Sequence, residues 1–151
     1  MEFEEKTIDD QFIAVISNKG TLEAAEVLFA KLAGWLEEEE VETAGDPFMI
    51  FYKLPENTEP DKVVYDVGVP IKELVKGNDL INTANMISHK VLTTIHKGGR
   101  EHIKETYTAL AQYAVDNNYD IIGSPKEVYI KGFLEKTDDK LTEIQLPVIK
   151  M

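Results

Sequence analysis

Gly45-Asp46-Pro47-Phe48-Met49-Ile50-Phe51-Tyr52-Lys53 and Gly123-Ser124-Pro125-Lys126-Glu127-Val128-Tyr129-Ile130-Lys131 are one pattern written twice. Each opens on a Gly-x-Pro turn and continues into apolar and aromatic residues suited to a strand. The two stretches stand 78 residues apart, and the offset holds without a gap back to Lys19-Gly20 over Lys97-Gly98. Identities also fall at Glu23/Glu101, Leu32/Leu110 and Ala33/Ala111, and aromatic pairs at Phe29/Tyr107, Trp35/Tyr113 and Phe51/Tyr129. One deletion later, Val69-Pro70 lies over Leu146-Pro147. A period this long is not a solenoid but one module present twice, at about 10–76 and 85–151.

Working outward, each copy reads as strand, helix, strand, strand. Phe12–Ile16 and Lys90–Ile95 are apolar and β-branched, as strands are. Gly20, or Gly98-Gly99, breaks the strand, and Thr21 is placed to cap the helix that follows. Leu22, Ala25, Phe29, Leu32 and Leu36 recur at helical spacing and predict a helix over 22–40. Ile103, Tyr107, Leu110 and Ala114 predict its copy over 100–116. Strands are expected at 48–54 and 63–71, and again at 126–134 and 141–149. Turn-rich loops at 55–60 and 135–139 join them. Residues 77–84 link the copies. The expected fold is α+β: duplicated β-α-β-β modules form one antiparallel sheet with two helices on one face.

Length and composition agree. At 151 residues the chain has the size of a single domain, residues 1–151, that needs no staple. There is no cysteine, which excludes disulfides, a thiol nucleophile and a cysteine zinc site. The net charge of −12 argues against direct nucleic-acid binding, which needs a basic face. It suits a cationic ligand or a basic protein surface, and it equally suits plain solubility. No apolar run approaches a membrane span, and the acidic start Met1-Glu2-Phe3-Glu4-Glu5 is not a secretory signal, so a cytoplasmic protein is expected.

No familiar catalytic or cofactor motif is present. His89, His96 and His102 lack metal-ligand spacing and are expected at the surface or at strand edges. No metal or cofactor is expected. Glu37–Glu40 places four carboxylates at a helix C-terminus, where the helix dipole disfavours them. One repeat position differs informatively, because Met49 becomes Glu127. Strand alternation sets Glu127 beside Tyr129 and Lys131 on one face. Two readings fit: an ordinary exposed glutamate, or a lone carboxylate among aromatic residues that reads a lipophilic cation. Phe51 and Met49 are the candidates to lie near it.

The set formed by 89–99, the helix with Tyr107 and Leu110, Gly123–Tyr129 and Thr142–Val148 resembles the GyrI-like small-molecule-binding family. The family includes effector-binding domains of AraC- and MerR-type transcription activators and stand-alone gyrase inhibitory proteins. The resemblance covers nearly the whole chain. It implies a duplicated SHS2-type fold with an aromatic cleft between the halves and one acid at its floor. Glu127, in Pro125-x-Glu127-x-Tyr129, matches that acid. Trp35, Phe51, Tyr65, Tyr113 and Tyr129 are the aromatics nearest the implied cleft, and Trp35 and Tyr113 fit equally well as helix core. The chain departs from drug-binding relatives at Thr142, where they often carry tyrosine.

Three functions follow from the resemblance. The first is a stand-alone binding domain for an amphipathic, cationic or drug-like molecule, held by the aromatics and Glu127. The second is a hydrolase of reactive cyclopropane-type electrophiles, with Glu127 as general base and Tyr129 as proton donor. The third is an acidic protein-interaction module of the gyrase-inhibitor kind. The expected partners are a small molecule and, through the acidic surface, a protein, with neither nucleic acid nor membrane.

Overall fold

A computed structural model describes all of residues 1–151. The α+β class and the strand–helix–strand–strand order of both copies are as the sequence predicts. The chain divides into two units, residues 10–87 and residues 88–151 joined by 1–9.

The amino-terminal unit contains β2 (Gln11–Gly20), α1 (Ala24–Glu38), β3 (Phe48–Lys53), β4 (Val63–Ile71) and β5 (Asn82–Met86). Its strands are antiparallel, in the order β3-β4-β2-β5. The helix buries Ala25, Phe29 and Leu32 of the predicted stripe and, beside them, Trp35, while Leu22 and Leu36 are half-buried; it packs on β2 and β4. Thr21 Oγ1 accepts the Ala24 amide at 3.3 Å, which satisfies one of the first turn's open donors.

The carboxy-terminal unit contains β1 (Glu4–Ile8), β6 (His89–Lys97), α2 (Ile103–Asp116), β7 (Tyr119–Ile121), β8 (Lys126–Lys131) and β9 (Leu141–Lys150). Its order is β1-β6-β9-β8, again antiparallel, and β7 pairs with the far end of β9. A short 3-10 turn, Arg100–His102, leads into α2. Leu92, Ile103, Leu110, Ala114, Ile144, Leu146 and Val148 form its core. Each such large side chain contributes about 1.5–3 kcal/mol on burial.

The repeated Gly-x-Pro turn and the repeated strand proline meet. A Cβ on Gly45 would stand 3.3 Å from Pro70 Cγ, and one on Gly123 3.1 Å from Pro147. In the same places Ala44 N donates to Pro70 O, and Ile122 N to Pro147 O, both at 2.9 Å. A Cβ at either place would press on the proline ring, so the motif is a close packing contact that both copies keep.

The Glu37–Glu40 run ends in a left-handed turn. Glu40 takes φ 54° and its repeat mate Asn118 takes φ 62°. Both are left-handed helix terminators, and Val41 N closes the end on Leu36 O at 2.8 Å. Asparagine tolerates this conformation and glutamate pays for it. Glu40→Gly is therefore expected to stabilise by about 1 kcal/mol, read as a melting temperature about 2–4 °C higher.

His96 corrects one expectation. It is 5% exposed, not at the surface. Its ring lies between β6 and α2, against the turn that joins them. The imidazole Nε2–H donates to Gly99 O at 2.6 Å, and Thr106 Oγ1 lies 2.7 Å from Nδ1. The ring thus ties the strand-to-helix turn to α2. Neither helix is long and apolar enough to cross a membrane.

Candidate functional site

Alternation along β8 points Glu127 and Tyr129 to one face, and Tyr129 Oη donates to Glu127 Oε1 at 3.1 Å. Two further donors come from the strand-to-helix segment. The turn at Gly98, with φ 96°, brings Arg100 over the end of β8. Arg100 Nη1 donates to Oε1 at 2.6 Å. From the second turn of α2, Tyr107 Oη donates to Oε2 at 2.6 Å.

Glu127 is wholly buried, and its carboxylate is met by one guanidinium and two phenols. Charge-assisted bonds of this length are the strong kind. Burial, then the Glu127 charge, holds the Tyr107 phenol far above its ordinary value, so it remains a donor. Arg100 reaches water, with 27% of its side chain exposed. On the outer side the Tyr129 ring stacks on Phe133, centroids 4.6 Å apart and planes at 13°. Both rings are half-buried.

The duplication supplies an internal control. At the repeat positions of Arg100, Tyr107, Glu127 and Tyr129 the first copy carries Leu22, Phe29, Met49 and Phe51. Phe29, Met49 and Phe51 are buried core and Leu22 is half-buried. The module therefore folds around an apolar filling at this place. In the second copy all four members have become polar together. A buried ion pair is weak as a stabiliser, because desolvation offsets its attraction. Stability alone does not account for the exchange.

Of the residues singled out in the sequence, the structure brings Glu127 and Tyr129 into contact. Tyr113 lies elsewhere in the same unit, stacked on Phe3 at 4.7 Å. Trp35, Met49, Phe51 and Tyr65 are buried in the amino-terminal unit. There Tyr65 Oη donates to Thr21 O at 2.7 Å and accepts from Asn18 at 3.0 Å. Arg100 and Tyr107 were missed as partners of Glu127. Reading the repeat for apolar-to-polar changes, Leu22 to Arg100 and Phe29 to Tyr107, is the signal that finds them.

A family model for the GyrI-like small-molecule-binding domain matches residues 1–149. The chain belongs to this family. No curated protein sequence matches it. Solved structures do. EcmrR in its complex with DNA is similar over 99% of this chain, at 20% identity and a TM-score of 0.87. This GyrI-like chain spans 58% of that protein's length. The EcmrR C-terminal domain alone is covered to 98%, at 21% identity and a TM-score of 0.80. A hydrolase from Listeria innocua matches over 98% of this chain and 92% of its own, at 10% identity and a TM-score of 0.73. SAV2435, solved bound to tetraphenylphosphonium, matches over 99% and 94%, at 13% identity and a TM-score of 0.59. At these identities the likeness is one of fold.

Proposed function

We propose that this GyrI-like domain binds a small amphipathic cation at Glu127, with Tyr129 and Phe133 as its aromatic wall. The observation that carries the reading is the polar quartet of the second copy, set where the first copy has plain core. Arg100 is the resident counter-charge. Its partial exposure lets it swing to water, which frees Glu127 Oε1 for a ligand. A diffuse cation is cheap to desolvate, gains from the ring faces and replaces the lost positive charge.

Tetraphenylphosphonium is the natural probe, since the fold relative SAV2435 was solved with it. Its anionic counterpart, tetraphenylborate, has nearly the same shape. The cation is expected to raise the melting temperature of the wild type, and the anion to leave it unchanged. Glu127→Gln should abolish the shift. Arg100→Leu removes the internal competitor and should bind the cation about tenfold more tightly. Equal shifts from both ions, or an undiminished shift in Glu127→Gln, would contradict the proposal.

A further inference from the structure

The repeat also reveals a missing counter-charge, in the amino-terminal unit and away from Glu127. In the carboxy-terminal unit Glu143 of β9 accepts Lys6 Nζ of β1 at 2.8 Å. By the offset that sets Val69-Pro70 over Leu146-Pro147, the mate of Glu143 is Asp66 of β4. The strand that takes the place of β1 in the amino-terminal unit is β5. Lys6 pairs in register with Val91, and Ala84 with Ile13, and Val91 and Ile13 are themselves repeat mates. Ala84 therefore stands where Lys6 stands in the other copy, and it brings no charge.

Asp66 is nevertheless 7% exposed. Its two oxygens accept only hydroxyls, Ser17 Oγ at 2.6 Å and Tyr52 Oη at 2.7 Å. Burial and the Asp66 carboxylate hold the Tyr52 phenol well above its ordinary value, so it stays a donor. A carboxylate offers about four acceptor sites, and two are used here. Ser17, Tyr52 and Ala84 are all exposed. A concavity of about 390 Å³ lined by Ser17, Tyr52, Val64 and Asp66, with Lys19 also in its lining, opens at the carboxylate.

We propose that Asp66, with Ser17 and Tyr52, forms a second binding site, one that takes an alkylammonium group from outside the chain. The ammonium does for Asp66 what Lys6 does for Glu143. It meets a desolvated carboxylate already oriented by two hydroxyls, and the tyrosine ring flanks its alkyl stem.

The test is an NMR titration of the full chain with two probes that share this group, 1,4-diaminobutane and N-acetyl-lysine methylamide. Saturable shifts centred on Ser17, Tyr52 and Asp66 are expected. Asp66→Asn should weaken them at least about tenfold, the loss typical of a bond to a charged group. Ala84→Arg should do the same by filling the site from within, its longer arm making up for the shorter aspartate. That variant keeps the test decisive if Asp66→Asn is poorly folded. Saturation by the diamine alone assigns the site to a free amine, and saturation by the lysine derivative assigns it to a lysine side chain. Saturation by neither, or equal titration of wild type and both variants, overturns the proposal.

Discussion

Arg100→Leu is expected to destabilise the protein by about 3 kcal/mol, the lower end of the range for breaking a buried ion pair. The substitution installs the residue that the first copy carries at position 22. It leaves Glu127 wholly buried with no positive charge beside it. Tyr107 and Tyr129 still donate, which is why the loss falls at the lower end. The reverse change is milder, because Arg100 can rehydrate when Glu127 is removed. Adding Tyr107→Phe, Glu127→Met and Tyr129→Phe to Arg100→Leu copies the whole apolar set of the first module. That fourfold variant should regain the lost stability and exceed the wild type by about 1–4 kcal/mol. The four changes are far from additive because they share one carboxylate. Urea unfolding of the single and fourfold variants measures this directly, with equal m-values as the check that one transition is followed. A silent Arg100→Leu would contradict the ion pair.

Gly77→Ala should cost about 3 kcal/mol, at the upper end for forced overpacking. A Cβ there would stand 2.0 Å from the carbonyl oxygen of Ile81. The neighbour is backbone, so no rotamer change relieves the clash. The carbonyl is held in place because it accepts Asn78 N at 2.9 Å. Asn78 Oδ1 in turn accepts Leu80 N at 2.9 Å and Ile81 N at 2.8 Å. Ile81 is 2% exposed, so the turn cannot open without uncovering it. Gly34→Ala is the contrasting control. It lies within α1 with nothing within 4 Å of the added carbon. Alanine there should stabilise by about 0.5–1 kcal/mol through helix propensity. Thermal melts of the two variants should therefore move in opposite directions.

The duplication made most of the fold legible before any coordinates. Strand β4 runs from Val63 to Ile71 as its apolar run predicts. Both helices carry the stripe that the spacing of Ala25, Phe29 and Leu32, or of Ile103 and Leu110, demands. The strands that escaped are β1, β5 and β7. Glu4–Ile8 and Asn82–Met86 are polar, short and at sheet margins, where pairing needs no hydrophobic pattern. Tyr119–Ile121 has three residues, too few for any periodicity. Neither β1 nor β5 pairs with the strand that follows it in the chain, so local sequence carries no hairpin signal for either.

The site was legible in part, for a chemical reason. Glu127 stood out because it replaces a methionine, and Tyr129 because it shares its face. Arg100 looked like an ordinary first residue of a helix, and Tyr107 like one aromatic replacing another. A hydroxyl on a core ring changes nothing in a hydrophobic pattern, yet it supplies the donor that a buried carboxylate requires. His96 was misread similarly. Its partners, Thr106 on the next element and the Gly99 carbonyl in the turn, are fixed by how α2 folds back on β6, which the strand pattern alone does not carry.

The central claim is that Glu127 is a cation reader whose counter-charge, Arg100, yields to a ligand. A crystal structure of the domain with tetraphenylphosphonium tests it most directly. The prediction is a cation against the Tyr129 and Phe133 rings, with Arg100 withdrawn from Glu127 Oε1 and the Tyr107 bond to Oε2 retained. A cation bound elsewhere, with the Arg100–Glu127 contact intact, would contradict it.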